Sequence, residues 1–149
     1  TPSLGLPELR EAITGLYRRR YGVDIDPQRV AITPGASGAL QLALGVLVNP
    51  GDKVLLADPG YPCNRHLVSL YGGEPIAVPV TAATAWQLTA DLVEQHWQPG
   101  VTALIISSPS NPTGTLVAPA ELAAIHRFVQ RQGAQLVVDE IYHGLVYGD

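Results

Sequence analysis

The chain has 149 residues, 46% of them hydrophobic and 15% charged, with a formal net charge of −4. That length suits one domain with a real core, the apolar fraction excludes disorder, and the acidic balance offers no footprint for nucleic acid. No apolar run approaches the roughly 18 residues a membrane span needs, and Thr1–Arg10 has no basic region followed by an apolar one, so the chain is read as soluble and cytoplasmic. Cys63 is the single cysteine, which leaves neither an internal disulfide nor a cysteine metal cage. Lys53 is the single lysine, and the one basic run, Arg18-Arg19-Arg20, reads as a solvated helix end.

Apolar periodicity switches repeatedly between helical and extended. Leu6 to Tyr21 reads as a helix, with Pro7 in its first turn, Leu9, Ile13, Leu16 and Tyr17 on one face, and Gly22 as a stop. A short strand follows at Val30–Thr33, then the turn Pro34-Gly35 and a helix from Ser37 to Val48 with Leu40, Leu44 and Leu47 at helical spacing. Lys53–Ala57 reads as a buried strand, Tyr61–Tyr71 as a helix and Pro75–Val80 as another strand. Val80–Gln87, rich in Ala and Thr, reads as a mobile connection, and Thr89 caps a helix through His96. Val101–Ser107 is an almost wholly apolar strand, Pro119–Gln132 a helix with Leu122, Ile125 and Val129 inward, and Gln135–Asp139 the next strand. Such alternation predicts an α/β fold, with parallel strands and helices on both faces.

Ligands of such sheets gather at the carboxyl ends of the strands, and four loops there carry chemistry. In Thr33-Pro34-Gly35-Ala36-Ser37-Gly38-Ala39-Leu40 small side chains open a helix whose N–H groups can receive a phosphate, with the Ser37 hydroxyl as a further donor. The same residues also suit a plain strand-to-helix turn. The loop lacks the third glycine of G-x-G-x-x-G, the G-K-[ST] ending of a P-loop and the spacing of G-x-S-x-G. In Asp58-Pro59-Gly60-Tyr61-Pro62 a tyrosine between two prolines suits either stacking on a planar ligand or core packing. Ser107-Ser108-Pro109-Ser110-Asn111-Pro112-Thr113-Gly114 is a polar, proline-studded loop that can aim a side-chain amide, with cis prolines an option. In Leu136-Val137-Val138-Asp139-Glu140-Ile141-Tyr142 an acid directly after apolar strand residues calls for a cationic partner, either a ligand cation or a metal. Hydrophobic-Asp-Glu also matches a Walker B strand, but the chain has no P-loop. His66, His96, His126 and His143 lie far apart and read as surface or packing residues, not metal ligands.

These loops together describe a ligand with a phosphate, a planar ring, a polar oxygen and a ring cation. In this order, Gly5-Leu6-Pro7-Glu8-Leu9-Arg10, Gly35-Ala36-Ser37-Gly38-Ala39-Leu40, Asp58-Pro59-Gly60-Tyr61-Pro62, Ser110-Asn111-Pro112-Thr113-Gly114 and Val138-Asp139-Glu140-Ile141-Tyr142 resemble the class I/II aminotransferases over essentially the whole chain. The resemblance implies pyridoxal 5′-phosphate as cofactor and the three-layer α/β/α, mostly parallel sheet of the fold type I large domain, here incomplete. It implies amino-group transfer between an amino acid and a 2-oxo acid, in a cytoplasmic biosynthetic enzyme that is a homodimer when full-length. It places Ala36 and Ser37 in the phosphate cup, Tyr61 on the pyridine ring, Asn111 and Tyr142 at the phenolic oxygen, and Asp139 at the ring nitrogen.

The same resemblance places the Schiff-base lysine and the arginine that receives the substrate carboxylate downstream of Asp139, so no catalytic residue is assigned within residues 1–149. Lys53 begins a strand, at the end away from the site. Other chemistry on the same cofactor, such as β-elimination, is a second reading. A non-catalytic, aminotransferase-like sensor domain of a transcription regulator is a third, and a winged-helix segment upstream would mark it. By the resemblance, Val30–Thr33 lacks a neighbouring strand within the chain, and an unpaired buried strand leaves backbone groups unsatisfied. The isolated chain is therefore expected to unfold at low urea concentration and to expose apolar surface; a highly stable, cooperatively unfolding monomer contradicts this.

Overall fold

The computed structural model describes residues 2–147. Contacts divide the chain into two compact units, Thr1–Ala39 and Leu40–Asp149. In the first, α1 (Pro7–Tyr21) starts at Pro7, and Gly22 ends it in the left-handed conformation at φ 67°, its N–H bonded to the Arg18 carbonyl. No α1 residue is buried, and Leu9 and Leu16 on its apolar face remain 44% and 45% exposed. A single 3-10 turn, Pro27–Arg29, is capped by the Asp26 carboxylate, which accepts the Gln28 N–H.

Val30–Thr33 does not form the expected strand. Val30 is extended, yet among the described residues no strand lies beside the segment, and a lone extended segment has no ladder to join. Nor is it buried: Val30, Ile32 and Thr33 are half-buried and Ala31 exposed. The Ile32 N–H is satisfied by the Leu4 carbonyl at 3.0 Å, so the expected cost of an unpaired buried strand does not arise at this group. Gly5, at φ 92°, lets the chain pass Ile32, whose side chain a Cβ there would meet at 2.5 Å.

Helix α2 (Gly35–Leu47) begins in the first unit and continues into the second. The second unit then alternates β1 (Lys53–Asp58), α3 (Pro62–Leu70), β2 (Glu74–Pro79), α4 (Ala90–His96), β3 (Val101–Ser107), α5 (Pro119–Arg131) and β4 (Gln135–Asp139). The strands form one parallel sheet in the order β2-β1-β3-β4. Successive side chains point to opposite faces, and both faces are apolar. Val54, Leu56, Ala103 and Ile105 pack with Leu44 and Val48 near α2 and with Val68 of α3. Leu55, Leu104, Ile106 and Val78 pack with Val93 of α4 and with Ile125, Phe128 and Val129 of α5. Trp97 meets Phe128 edge to face, ring centroids 5.2 Å apart, which joins the end of α4 to α5. The result is the expected three-layer α/β/α architecture.

The step from β1 to β2 runs in one direction along the sheet, and the steps to β3 and β4 run in the other. Crossovers of one hand must then place α3 on one face and α4 and α5 on the opposite one, as the two cores record. Thr89 caps α4 by accepting the Leu92 N–H, and the Glu121 carboxylate of α5 accepts the Ala90 N–H at 2.8 Å. The connection Val80–Gln87 is built, not loose. It contains a 3-10 turn, Ala82–Thr84, closed by a Thr81/Thr84 capping box, because short hydroxyl side chains bond the backbone beside them.

Candidate functional site

The four strand ends, Pro79, Asp58, Ser107 and Asp139, line up along one edge of the sheet, with Asp58 in register with Pro79 and Ser107 with Asp139. Because the chain leaves β1 toward β2 but β3 lies on the other side, the loops after β1 and β3 diverge and leave a crevice between them, the switch point at which such sheets bind ligands. A cavity of about 20 Å³ opens there, between Gly60, Tyr61 and Asn64 on one side and Ser107, Ser110 and Asn111 on the other. A larger, open cavity of about 400 Å³ adjoins it, sharing Ser110 and Asn111 and reaching Tyr142, Leu145 and Tyr147.

Each side chain has a local cause. Tyr61 precedes α3, its carbonyl accepting the Asn64 N–H at 3.1 Å, and its ring is half-buried. The turn before it requires Gly60, where a Cβ would stand 2.5 Å from the Ala57 carbonyl oxygen. Arg65 of α3 bonds Asp58 at 3.1 Å, tying the helix to the end of β1; both side chains are substantially exposed, so the pair orients more than it stabilises. Asn111 rides a knitted loop: the Thr115 carbonyl accepts the Ser110 N–H at 2.9 Å, the Ser110 carbonyl accepts the Gly114 N–H at 2.8 Å, and the Ser108 hydroxyl accepts the Val117 N–H at 3.1 Å. The Asp58-Pro59, Ser108-Pro109 and Asn111-Pro112 bonds are cis, two of them in this loop. Asp139 is half-buried at the end of β4, its Oδ1 accepts the Ile141 N–H at 3.1 Å, and its carbonyl accepts the Ser108 N–H.

Tyr61 and Asn111 therefore share one cavity, and Asn111 and Tyr142 share the other. Asp139 ends the neighbouring strand at the same edge without lining either. Ala36 and Ser37 lie in the first turn of α2, after Gly35 at φ 77°, where helical N–H groups have no partners within the helix. Lys53 is at the amino end of β1, its Nζ donating to Gln98 Oε1 at 3.2 Å. Cys63 is exposed, and among the described residues no group of three acidic, His or Cys side chains is placed to hold a metal.

Two residues at the crevice escape a sequence reading. Gln87 ends the Ala- and Thr-rich connection that reads as mobile, yet it is buried and its Nε2 donates to the Thr115 carbonyl at 2.7 Å. Asn64 is buried with no hydrogen-bond partner for its Oδ1. Its signal is spacing: Asn64 and Val68 stand four apart on the inward face of α3.

A parallel α/β sheet with polar loops converging at its switch point has the layout in which small-ligand sites occur. The family model for aminotransferase class I and II matches residues 1–149, and the chain belongs to that family. The valine–pyruvate aminotransferase of Mycobacterium tuberculosis is 43% identical over 97% of this chain, and the aspartate aminotransferase of Geobacillus stearothermophilus 37% identical over 99%. A crystal structure of an aminotransferase from Mycobacterium tuberculosis superposes with a TM-score of 0.95 at 42% identity, over 99% of this chain and 38% of that one. The chain spans 37% and 38% of the length of the two curated relatives. Aminotransferases of this family depend on pyridoxal phosphate.

Because the atom nearest a Cβ at Gly60 is a backbone oxygen, Gly60→Ala is expected to displace the Tyr61 turn and to cost about 1–3 kcal/mol of stability. Urea unfolding of the full-length protein measures this; an unchanged midpoint would show that the turn has room.

Proposed function

We propose that this chain supplies the cofactor-binding part of the large domain of an enzyme that moves an amino group between an amino acid and a 2-oxo acid. The observation that carries the reading is the convergence of Tyr61, Asn111, Tyr142 and Asp139 on one edge of a parallel sheet, in a chain matched along its whole length by the aminotransferase family. The remainder of the large domain, the small domain and the Schiff-base lysine are assigned to other parts of the full-length protein. By the same resemblance it is a cytoplasmic homodimer of amino-acid biosynthesis.

The donor set fits pyridoxal phosphate. The Asn111 amide and the Tyr142 phenol line a cavity of about 400 Å³, a size usual for small-molecule sites; the Tyr61 ring lines the small cavity that shares Asn111 with it, and the Asp139 carboxylate ends β4 at the same edge. When bound, the cofactor supplies a carbonyl that takes up the amino group and a ring that accepts electron density. Tyr61 stacks on that ring. Asn111 donates an N–H, and Tyr142 its hydroxyl, to the phenolic oxygen, which fixes the ring's rotation. The backbone N–H groups of Ala36 and Ser37, with the Ser37 hydroxyl, receive the phosphate at the positive end of α2.

Asp139 has the chemical part. Its carboxylate holds a proton on the ring nitrogen, since a nearby negative charge favours the protonated, cationic ring. Its main-chain anchors are the register with Ser107 and the Ser108 N–H on its carbonyl. Lys53, at the opposite edge and bonded to Gln98, is not the base that moves the substrate's proton.

In the full-length enzyme, Asp139→Ala is expected to keep measurable pyridoxal phosphate while transamination falls about 10³-fold, the scale on which one directed electrostatic contact acts. Steady-state kinetics with cofactor absorbance measured in parallel tests it, and near-normal turnover sinks the assignment.

A further inference from the structure

Among the described residues three polar side chains are buried, Asn64, Gln87 and Ser110 at 5%, 6% and 8% exposure, and all three line the small cavity between Tyr61 and Asn111. Burying an amide is unfavourable unless it is hydrogen-bonded. Gln87 is bonded in a particular way: its Nε2 donates to the Thr115 carbonyl at 2.7 Å and to the Ser107 carbonyl at 3.3 Å. Ser107 is the last residue of β3, and Thr115 closes the loop that leaves it. One carboxamide thus ties the entry of the Asn111 loop to its exit. The Thr115 oxygen also accepts the Ser110 N–H, so the clasp reaches the residue next to Asn111.

The backbone before Gln87 is arranged for this. Ala85 and Trp86 hold φ of 51° and 57°, conformations that side-chain-bearing residues adopt only when their surroundings enforce them. The enforcing bonds are the Trp86 N–H to the Thr81 carbonyl at 2.8 Å and the Gln87 N–H to the Thr84 carbonyl at 3.0 Å. Trp86 is left 40% exposed, and the next side chain, Gln87, turns inward.

We propose that Gln87 is a positioning residue of the ligand site: by clasping the Ser107 and Thr115 carbonyls it fixes the loop that presents Asn111 to the ligand. The inference rests on the reading of Asn111 as a donor to the cofactor's phenolic oxygen. It adds a residue outside the four site loops, in a connection with no polar motif of its own.

The test uses the full-length holoenzyme. Gln87→Met keeps the side chain's length and removes both donated bonds. Amide hydrogen exchange at Ser110 and Gly114 is expected to become about tenfold faster. The pH midpoint of the bound cofactor's visible absorption is expected to rise, as in Asn111→Ala, because an N–H donated to an oxygen favours its deprotonated form. The double variant should move no further than Asn111→Ala alone. Unchanged exchange overturns the clasp, whatever the cofactor does. Faster exchange with an unmoved midpoint, where Asn111→Ala does move it, marks a mere loop stabiliser and overturns the positioning role. If Asn111→Ala itself leaves the absorption unchanged, the reading of Asn111 fails and the positioning role falls with it, while exchange still reports the clasp separately. Should the Met variant not fold, Gln87→Asn, one methylene too short to reach both carbonyls, gives the same two readouts with the same expected shifts.

Discussion

Strand β1 bonds in parallel to β2 on one side and to β3 on the other, and that double pairing determines where everything else can lie. Parallel neighbours need crossovers, and crossovers of one hand that run in opposite directions need helices on opposite faces. Both faces of the sheet are therefore covered, so Val54, Leu55, Leu56 and Ala103 to Ile106 can all be apolar and all buried. The same pairing sends the loops after β1 and β3 apart. The crevice between them is a consequence of strand order, and Tyr61 and Asn111, three and four positions beyond β1 and β3, line it.

Most of the second unit is legible in its sequence because its signals are local. Val101–Ser107 and Gln135–Asp139 have the expected limits, since a short apolar run bounded by turn residues describes a doubly buried strand well. Pro119 at one end and Gly133 just past the other bracket α5. Val30–Thr33 fails because pairing is not local: an apolar, β-branched run reads alike whether or not a neighbour stands beside it. Val80–Gln87 fails for the opposite reason, since small polar residues read as loose while their hydroxyls bond the backbone and build a turn.

The site divides in the same way. Tyr61 and Asn111 stand out because each follows a strand, and Asp139 because it ends one. That Asn111 joins the cavity of Tyr61 to the cavity of Tyr142 comes from strand order, which neighbouring residues do not encode. Gln87 is invisible because its partners are two main-chain oxygens, Ser107 and Thr115, at 20 and 28 residues' separation. Lys53 shows the converse: its place at the start of a strand excludes it from a site built at strand ends, and its bond to Gln98 at the other edge agrees.

In the proposed site the carboxylate at the end of β4 faces the ring nitrogen of a cofactor held at this edge. The most direct test of that placement is the nitrogen-15 chemical shift of the pyridine nitrogen in ring-labelled pyridoxal phosphate bound to the full-length protein, with Asp139→Ala as reference. The predicted result is a protonated nitrogen at neutral pH in the native protein and an unprotonated one in the variant. An unprotonated nitrogen in the native protein, or the same shift in both, would rule out this placement of Asp139.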